Sequence, residues 1–210
     1  MADVKVSVLK KDSNKVYFLM KGVSEIIANS LRRTIIEEVP TMAIEDVNFI
    51  KNGSALYDEI MALRLGLIPL KTDLKSYDLM SDCKCQGKGC SKCQLHFKLK
   101  TVGPKNVYAE DLVCNDPKVK PIYPKMLICK LLKGQKLDLE AVAVLGSGRE
   151  HAKWVPGLVY YADKDEFKDI GKDELVFVVE PWGQLGSKEM ILEAMKIFDK
   201  KLKELEKIIK

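Results

Sequence analysis

The sequence predicts an α+β fold in which a body assembled from both ends of the chain is interrupted by a mainly β domain. Three observations point there. Apolar residues recur at helical spacing near each end, over 24–39 and beyond Ser187. The middle holds short apolar or alternating runs punctuated by Gly and Pro, as strands are. No internal repeat or low-complexity linker separates two beads, so a second domain has to be an insertion whose flanks share one body.

In chain order, Val4 to Leu9 and Val16 to Met20 flank the turn-prone Asp12-Ser13-Asn14 and read as a hairpin that Gly22 ends. Ser24 is placed to cap a helix that runs to Val39 and stops at Pro40. Its expected inward stripe is Ile27, Leu31, Ile35 and Val39. At about 100° per residue, Ile26, Asn29, Arg33 and Ile36 share the opposite side, where two isoleucines beside an arginine and an amide suit a protein interface. A helix buried on both sides within its own domain is the alternative.

Ala43 to Ile50 reads as a strand, Asn52-Gly53 as a turn, and Tyr57 to Leu65 as a short helix. Leu95 to Val102, Met126 to Leu131, Leu137 to Val144 and Leu158 to Tyr161 are further short strands. Leu175 to Val179 forms a compact apolar strand, and Pro181-Trp182-Gly183 turns the chain toward Ser187, the expected cap of a long final helix. Ile191, Met195, Phe198, Leu202, Leu205 and Ile209 recur there at steps of four and three, a packed seam with charged flanks. The proximal turns can pack on their own sheet; the last, rich in Lys and Glu, call for a partner.

Four cysteines crowd into Cys83-x-Cys85-x4-Cys90-x2-Cys93. Paired spacing of this kind suits a shared metal ion, and the glycines of Gln86-Gly87-Lys88-Gly89 let the backbone fold back so that four thiolates converge. Lys84, Lys88 and Lys92 interleave the ligands and offset the excess negative charge. Such a set leaves no open coordination position, so the site reads as structural. Zinc fits better than an iron-sulfur cluster, because the ferredoxin spacings and trailing proline are missing. Cys114 and Cys129 read as ordinary core or surface thiols.

A composition of 47% hydrophobic and 31% charged residues is that of a globular protein, and no apolar run has the length of a membrane span. Met1 to Lys11 shows no apolar signal-peptide core, so a cytoplasmic location is expected, where reduced cysteines favour metal over disulfide. A net charge of +5, spread among acid-base neighbours, does not mark a nucleic-acid stripe. Only His96 and His151 offer imidazole, both expected in structural roles, and the glycine turns at 146–148 and 183–188 lack the full phosphate-loop pattern. No active site is expected.

Asn29-Ser30-Leu31-Arg32-Arg33-Thr34-Ile35, Glu38-Val39-Pro40, Asp58-Glu59-Ile60 and Leu63-Arg64-Leu65-Gly66-Leu67-Ile68-Pro69-Leu70 together resemble the D family of archaeal DNA-directed RNA polymerase subunits. Leu127 to Leu131, Lys133-Gly134-Gln135 and Glu150-His151-Ala152-Lys153-Trp154 extend the likeness over nearly the whole chain. That family is similar to the third-largest subunit of eukaryotic RNA polymerase II and to the N-terminal domain of the bacterial alpha subunit.

The resemblance implies a non-catalytic subunit of a nucleotidyltransferase. Its dimerisation domain, a sheet plus two helices, would comprise 1–40 and 171–210, and a β-rich insertion with the metal loop 83–93 would span 41–170. The first would pair with subunit L through Ile191, Met195, Phe198, Leu202 and Leu205. Subunits N and P would join, and Asn29, Leu31, Arg32 and Arg33 would contact the second-largest subunit on a platform for the large catalytic subunits. Nucleic acid would be met only through the assembled enzyme, and no membrane is involved. The cysteine loop resembles the zinc loop of the eukaryotic counterpart with a middle spacer one residue longer; many archaeal relatives instead carry a ferredoxin-like insertion, of which no trace is evident here. Two competing readings are a free-standing zinc-dependent nucleic-acid binder and a redox protein built on Cys90 and Cys93, the latter without the expected βαβ setting.

Overall fold

The computed structural model describes residues 4–12, 14–162, 167, 170, 171 and 174–209. Met1 to Asp3, Ser13 of the expected first turn and Lys210 lie outside the described residues, as does most of 163–173. The chain divides into two compact units, Met1–Val39 with Val155–Lys210, and Pro40–Trp154.

In the unit made from the chain ends, β1 (Lys5–Lys11) and β2 (Val16–Lys21) form a hairpin, followed by α1 (Glu25–Glu38); β9 (Gly157–Tyr161), β10 (Glu174–Pro181) and α3 (Ser187–Ile209) complete it. The sheet is antiparallel in the order β1-β2-β10-β9. Strand residues alternate between faces. Leu19, Val176 and Val178 pack on one face with Tyr17, Tyr160, Phe167 and Ile170. On the other, buried Phe177 stands opposite Phe18 and Tyr161, and Tyr161 borders Glu25, Ile26 and Asn29 of α1, so this is the helix side.

Helix α1 begins where expected. Ser24 is extended, at φ −69° and ψ 150°, and its hydroxyl accepts the Ile27 amide at 3.4 Å. It ends at Val39, held extended because the ring of Pro40 disfavours a helical residue before it. The buried side carries Ala28, Thr34, Ile35 and Val39, and Ile27 is 55% exposed, which corrects the expected stripe. At about 100° per residue Ile27 lies roughly 80° from Ile35, whereas Ala28 lies within roughly 20° of it. A second correction concerns α3: Ser187 is its first residue and not its cap. Gly186 occupies the cap position, its carbonyl accepting the Met190 amide at 3.0 Å and its amide donating to the Glu189 carboxylate at 2.9 Å.

The Pro40–Trp154 unit contains β3 (Thr41–Asn52), α2 (Asp58–Gly66), β4 (Leu95–Val102), β5 (Lys105–Tyr108), β6 (Val113–Cys114), β7 (Leu127–Leu131) and β8 (Lys136–Gly146). β3-β8-β4-β6 form one antiparallel sheet, and β5 pairs with β7. Along β4, buried Leu95, Phe97 and Leu99 alternate with exposed His96, Lys98 and Lys100. The lysines meet Glu140 and Asp138 of β8 at 2.8 and 2.9 Å on the solvent side. Helix α2 closes the core with Met61 and Leu65, and Arg64 donates to the Leu127 carbonyl at 2.7 Å, tying the helix to β7. Near the end of the unit Trp154 lies so close to Gly146 that a Cβ there would fall inside contact distance of its ring. β5 and β6, at four and two residues, are too short to show a period and have no counterpart in the sequence reading.

Phe97 is fully buried at the centre of this core. Phe97→Ala is expected to cost about 3–5 kcal/mol, whereas Lys98→Ala on the wet face of the same strand should stay within about 0.5 kcal/mol. Urea denaturation of the full chain checks both, and equal losses would show that the alternation along β4 does not direct its packing.

Candidate metal centre and assembly surfaces

Between α2 and β4 the chain runs from Lys71 to Gln94 without a regular strand or helix. Side chains strap this stretch to residues 116–120. Tyr77 donates to Asp116 at 2.7 Å, Lys118 reaches Asp73 at 3.0 Å, and the Lys71 amide donates to the Lys120 carbonyl at 2.8 Å. Hydrogen bonds from the Ser76 hydroxyl and Lys118 draw the Asp73 carboxyl down to about 2, so it stays an anionic anchor.

Beyond this base the chain doubles back through Gln86, Gly87 and Gly89, at φ of 55°, 76° and 84°. The reversal brings the four predicted cysteines together. The Cys83 and Cys90 sulfurs are 3.6 Å apart, Cys85 and Cys93 3.5 Å, and Cys90 and Cys93 3.8 Å; all four lie within 4.8 Å of one another. A tetrahedral ion with metal–sulfur bonds of about 2.3 Å requires sulfurs roughly 3.8 Å apart. The side chains therefore stand at the spacing of a shared ion, and the set can hold a metal.

The electrostatics agree. A hydrogen bond from Cys83 is the main cause that draws the Cys85 thiol down to about 7, while burial pushes Cys93 up to about 12. One thiolate forms readily, and a cation is what would bring the others to the same state. Lys84, Lys88 and Lys92 are exposed around the loop, outside the sulfur cluster yet able to offset its charge. All six cysteines are free thiols. Cys129 is a core residue, and the Cys114 thiol donates to the Asp116 and Val119 carbonyls, each at 3.2 Å. His96 is exposed on β4, and His151 accepts the Lys153 amide at 3.0 Å in the turn after β8.

The predicted assembly residues fall on two surfaces of the other unit. On α1, Asn29 and Arg33 are exposed and Leu31 and Arg32 half-buried; Asn29 accepts from Arg32 at 3.0 Å, and Arg33 pairs with Glu37 at 3.0 Å. Ile26 on the same side is 80% exposed, and Ile36 is half-buried. On α3 the buried residues are Met190 and Ala194, one position short of the predicted Ile191 and Met195. Ile191 and Phe198 are half-buried, while Met195, Leu202 and Leu205 are 55, 51 and 53% exposed. Every residue from Asp199 to Ile209 is exposed.

A further apolar element lies on β1. Val6 and Val8 of β1 stand opposite Met20 and Phe18 and so extend the helix side of the sheet, yet both are more than half exposed. The alternation Val4, Val6, Val8 carries the signal, but it reads equally as the inner face of a covered hairpin. No helix among the described residues is long and apolar enough to cross a membrane.

Comparison with known proteins adds the family. Residues 47–156, more than half of the chain, match the RNA polymerase Rpb3/RpoA insert domain. Several curated proteins called DNA-directed RNA polymerase subunit Rpo3 are similar. That of Methanosphaera stadtmanae is 44% identical over 154 residues, covering 71% of this chain and 57% of the relative. Those of Pyrococcus horikoshii and Picrophilus torridus are 46% identical over 158 residues, covering 75% and 59%, and 40% identical over 184 residues, covering 81% and 67%. The chain thus spans less than two thirds of the length of the first two. With four sulfurs gathered on a loop of the matched region and a sheet-and-helix unit around it in sequence, the chain belongs to the RNA polymerase Rpb3/RpoA insert domain family.

Proposed function

We propose that this protein is a non-catalytic assembly subunit of DNA-directed RNA polymerase, in which 1–39 with 155–210 is the dimerisation domain and 40–154 the inserted domain; an insertion running to 170 would take in β9, a strand of the other unit's sheet. The observation that carries the reading is the far half of α3. Eleven consecutive residues, from Asp199 to Ile209, keep a helical course with none of them buried. Isolated helices below about 12–15 residues are marginal in water, so such an extension needs a neighbour to pack on. Met195, Leu202 and Leu205 offer the contact.

Burying those three would contribute about 1.5–3 kcal/mol each, which is of the same order as the roughly 4–15 kcal/mol that association costs. The seam alone is therefore marginal. Val6 and Val8, exposed on the helix side of the sheet, supply the further area that makes a stable pair. A partner with its own sheet-and-helix face, the small subunit L, answers this need. The outer face of α1, with Asn29, Arg32 and Arg33 beside exposed Ile26, would then receive the second-largest subunit. Subunits N and P would complete a platform for the large catalytic subunits in the cytoplasm.

For the loop we propose one zinc ion held by Cys83, Cys85, Cys90 and Cys93. Sulfurs this close favour a mononuclear site over a cubane cluster, whose ligands bind separate irons and stand farther apart. Zinc would cross-link a stretch that has no regular structure of its own, and with four protein ligands it would be structural.

Co-expression with the other subunits and identification of what co-purifies tests the assembly reading; a stable monomer with no affinity for subunit L, or tight salt-dependent binding of nucleic acid by the isolated chain, would overturn it. Leu202→Glu with Leu205→Glu should weaken pairing with L by at least about tenfold, since both are central to the seam. Arg33→Glu should leave the pair intact and block entry of the second-largest subunit, and normal assembly of the whole enzyme would count against that role. Elemental analysis should find one colourless zinc per chain, lost in Cys93→Ser and on chelation; a brown protein carrying iron would sink the zinc assignment.

A further inference from the structure

We infer that Tyr77 and Asp116 are positioning residues of the four-cysteine site: the bond between them fixes the neck of the loop, and so the register in which the arm leading to Cys83 meets the arm that carries Cys90 and Cys93. The inference rests on the metal reading above and concerns two residues outside the ligand set.

The neck is closed by a backbone contact. The Asp78 amide donates to the Lys92 carbonyl at 2.9 Å, joining the two arms beside Cys93. What holds Asp78 in place is its neighbour. Tyr77 is buried among the core residues of the unit, and its hydroxyl donates to the Asp116 carboxylate at 2.7 Å. Asp116 is itself fixed: its other carboxylate oxygen accepts the Lys118 amide at 2.8 Å, and its carbonyl accepts the Cys114 thiol at 3.2 Å. From the other side the Tyr77 amide donates to the Asp73 carbonyl at 3.3 Å, and the Asp73 carboxylate takes the Lys118 ammonium at 3.0 Å. An unbroken series of bonds thus runs from residues 116–118 through Tyr77 and Asp78 to Lys92, the residue before buried Cys93. A hydroxyl that donates to a carboxylate makes one of the stronger hydrogen bonds, and the stretch from Lys71 to Gln94 has no strand or helix to replace it. Without that bond the neck samples more arrangements, and an ion that binds only the converged one meets a smaller competent fraction of the protein.

Tyr77→Phe removes the hydroxyl and leaves the ring in the core. The measurement is cobalt(II) affinity of the full chain, with its co-expressed partner where needed, from tetrathiolate absorption in competition with a chelator. Tyr77→Phe should weaken binding about tenfold, with an absorption that keeps its four-thiolate form because no ligand is changed. Ile128→Val, which takes one methylene from the same core at a comparable cost in stability, should leave affinity within about threefold of the unaltered protein. Tyr77→Phe combined with Asp116→Ala should bind cobalt within about threefold of Asp116→Ala alone, because the bond is already gone. Equal affinities for Tyr77→Phe and Ile128→Val, a spectrum that loses its thiolate form, or losses that multiply in the double variant would overturn the inference. Should Asp116→Ala not fold, Tyr77→Phe against Ile128→Val decides: weaker binding in the first alone supports the role, and equal binding refutes it. If the unaltered protein gives no thiolate-cobalt absorption, the metal reading fails first and the inference with it, an outcome distinct from normal binding that ignores these substitutions.

Discussion

Apolar surface that one polypeptide leaves in water is the constraint on which the unit made from the chain ends depends. Helix α3 is 23 residues long, about 35 Å at 1.5 Å per residue. Only Met190 and Ala194, in its first two turns, are buried. Past Phe198 the helix runs on with its seam in solvent, and the nearby ion pair between Lys201 and Glu38 is an exposed contact of the kind that adds little stability. The sheet beneath repeats the pattern: Phe177 is sealed in, whereas Val6 and Val8, two strands away on the same face, are not. Helix and sheet edge both leave apolar residues in water, and exposed apolar surface of this kind marks interaction sites.

The Pro40–Trp154 unit follows a different logic. Its core is complete, with β4 and β8 contributing a buried residue at every second position and α2 covering them. Its weak stretch is the connection from Lys71 to Gln94, which has no ladder to supply backbone hydrogen bonds. Three devices hold it: the Tyr77–Asp116 bond, the Asp73–Lys118 pair, and the convergence of four sulfurs. The first two fix the base of the loop, and the third gathers its tip. A structural ion there would act as a small core for residues too polar to make one.

How much of this was legible depended on whether the determining interaction is local. Ser24 and Pro40 bracket α1 as read, because a cap and a proline act on their immediate neighbours. Leu95 to Val102 was read to the residue, since alternation reports one wet and one dry face. The four cysteines declared themselves by spacing alone. Ile27 was misplaced because consecutive helical residues differ by about 100° and an isoleucine on the rim carries no label. Gly186 caps α3 although serine, the commoner capping residue, stands next to it, because Glu189 three positions on returns its carboxylate to the Gly186 amide. The Tyr77–Asp116 bond left no trace in the sequence, as side chains far apart along the chain show no periodicity.

By itself the sequence determined most of the longer elements, the α+β class, the crowding of four cysteines and the family likeness, since each is written in neighbouring residues or in short motifs. Tertiary structure alone decided that β9 pairs with β10, that Met190 and Ala194 and not Ile191 and Met195 face inward, and that Val6 and Val8 remain uncovered. Those outcomes turn on which distant surfaces run out of apolar neighbours, a quantity that depends on the packing of the whole unit and not on any stretch of the chain.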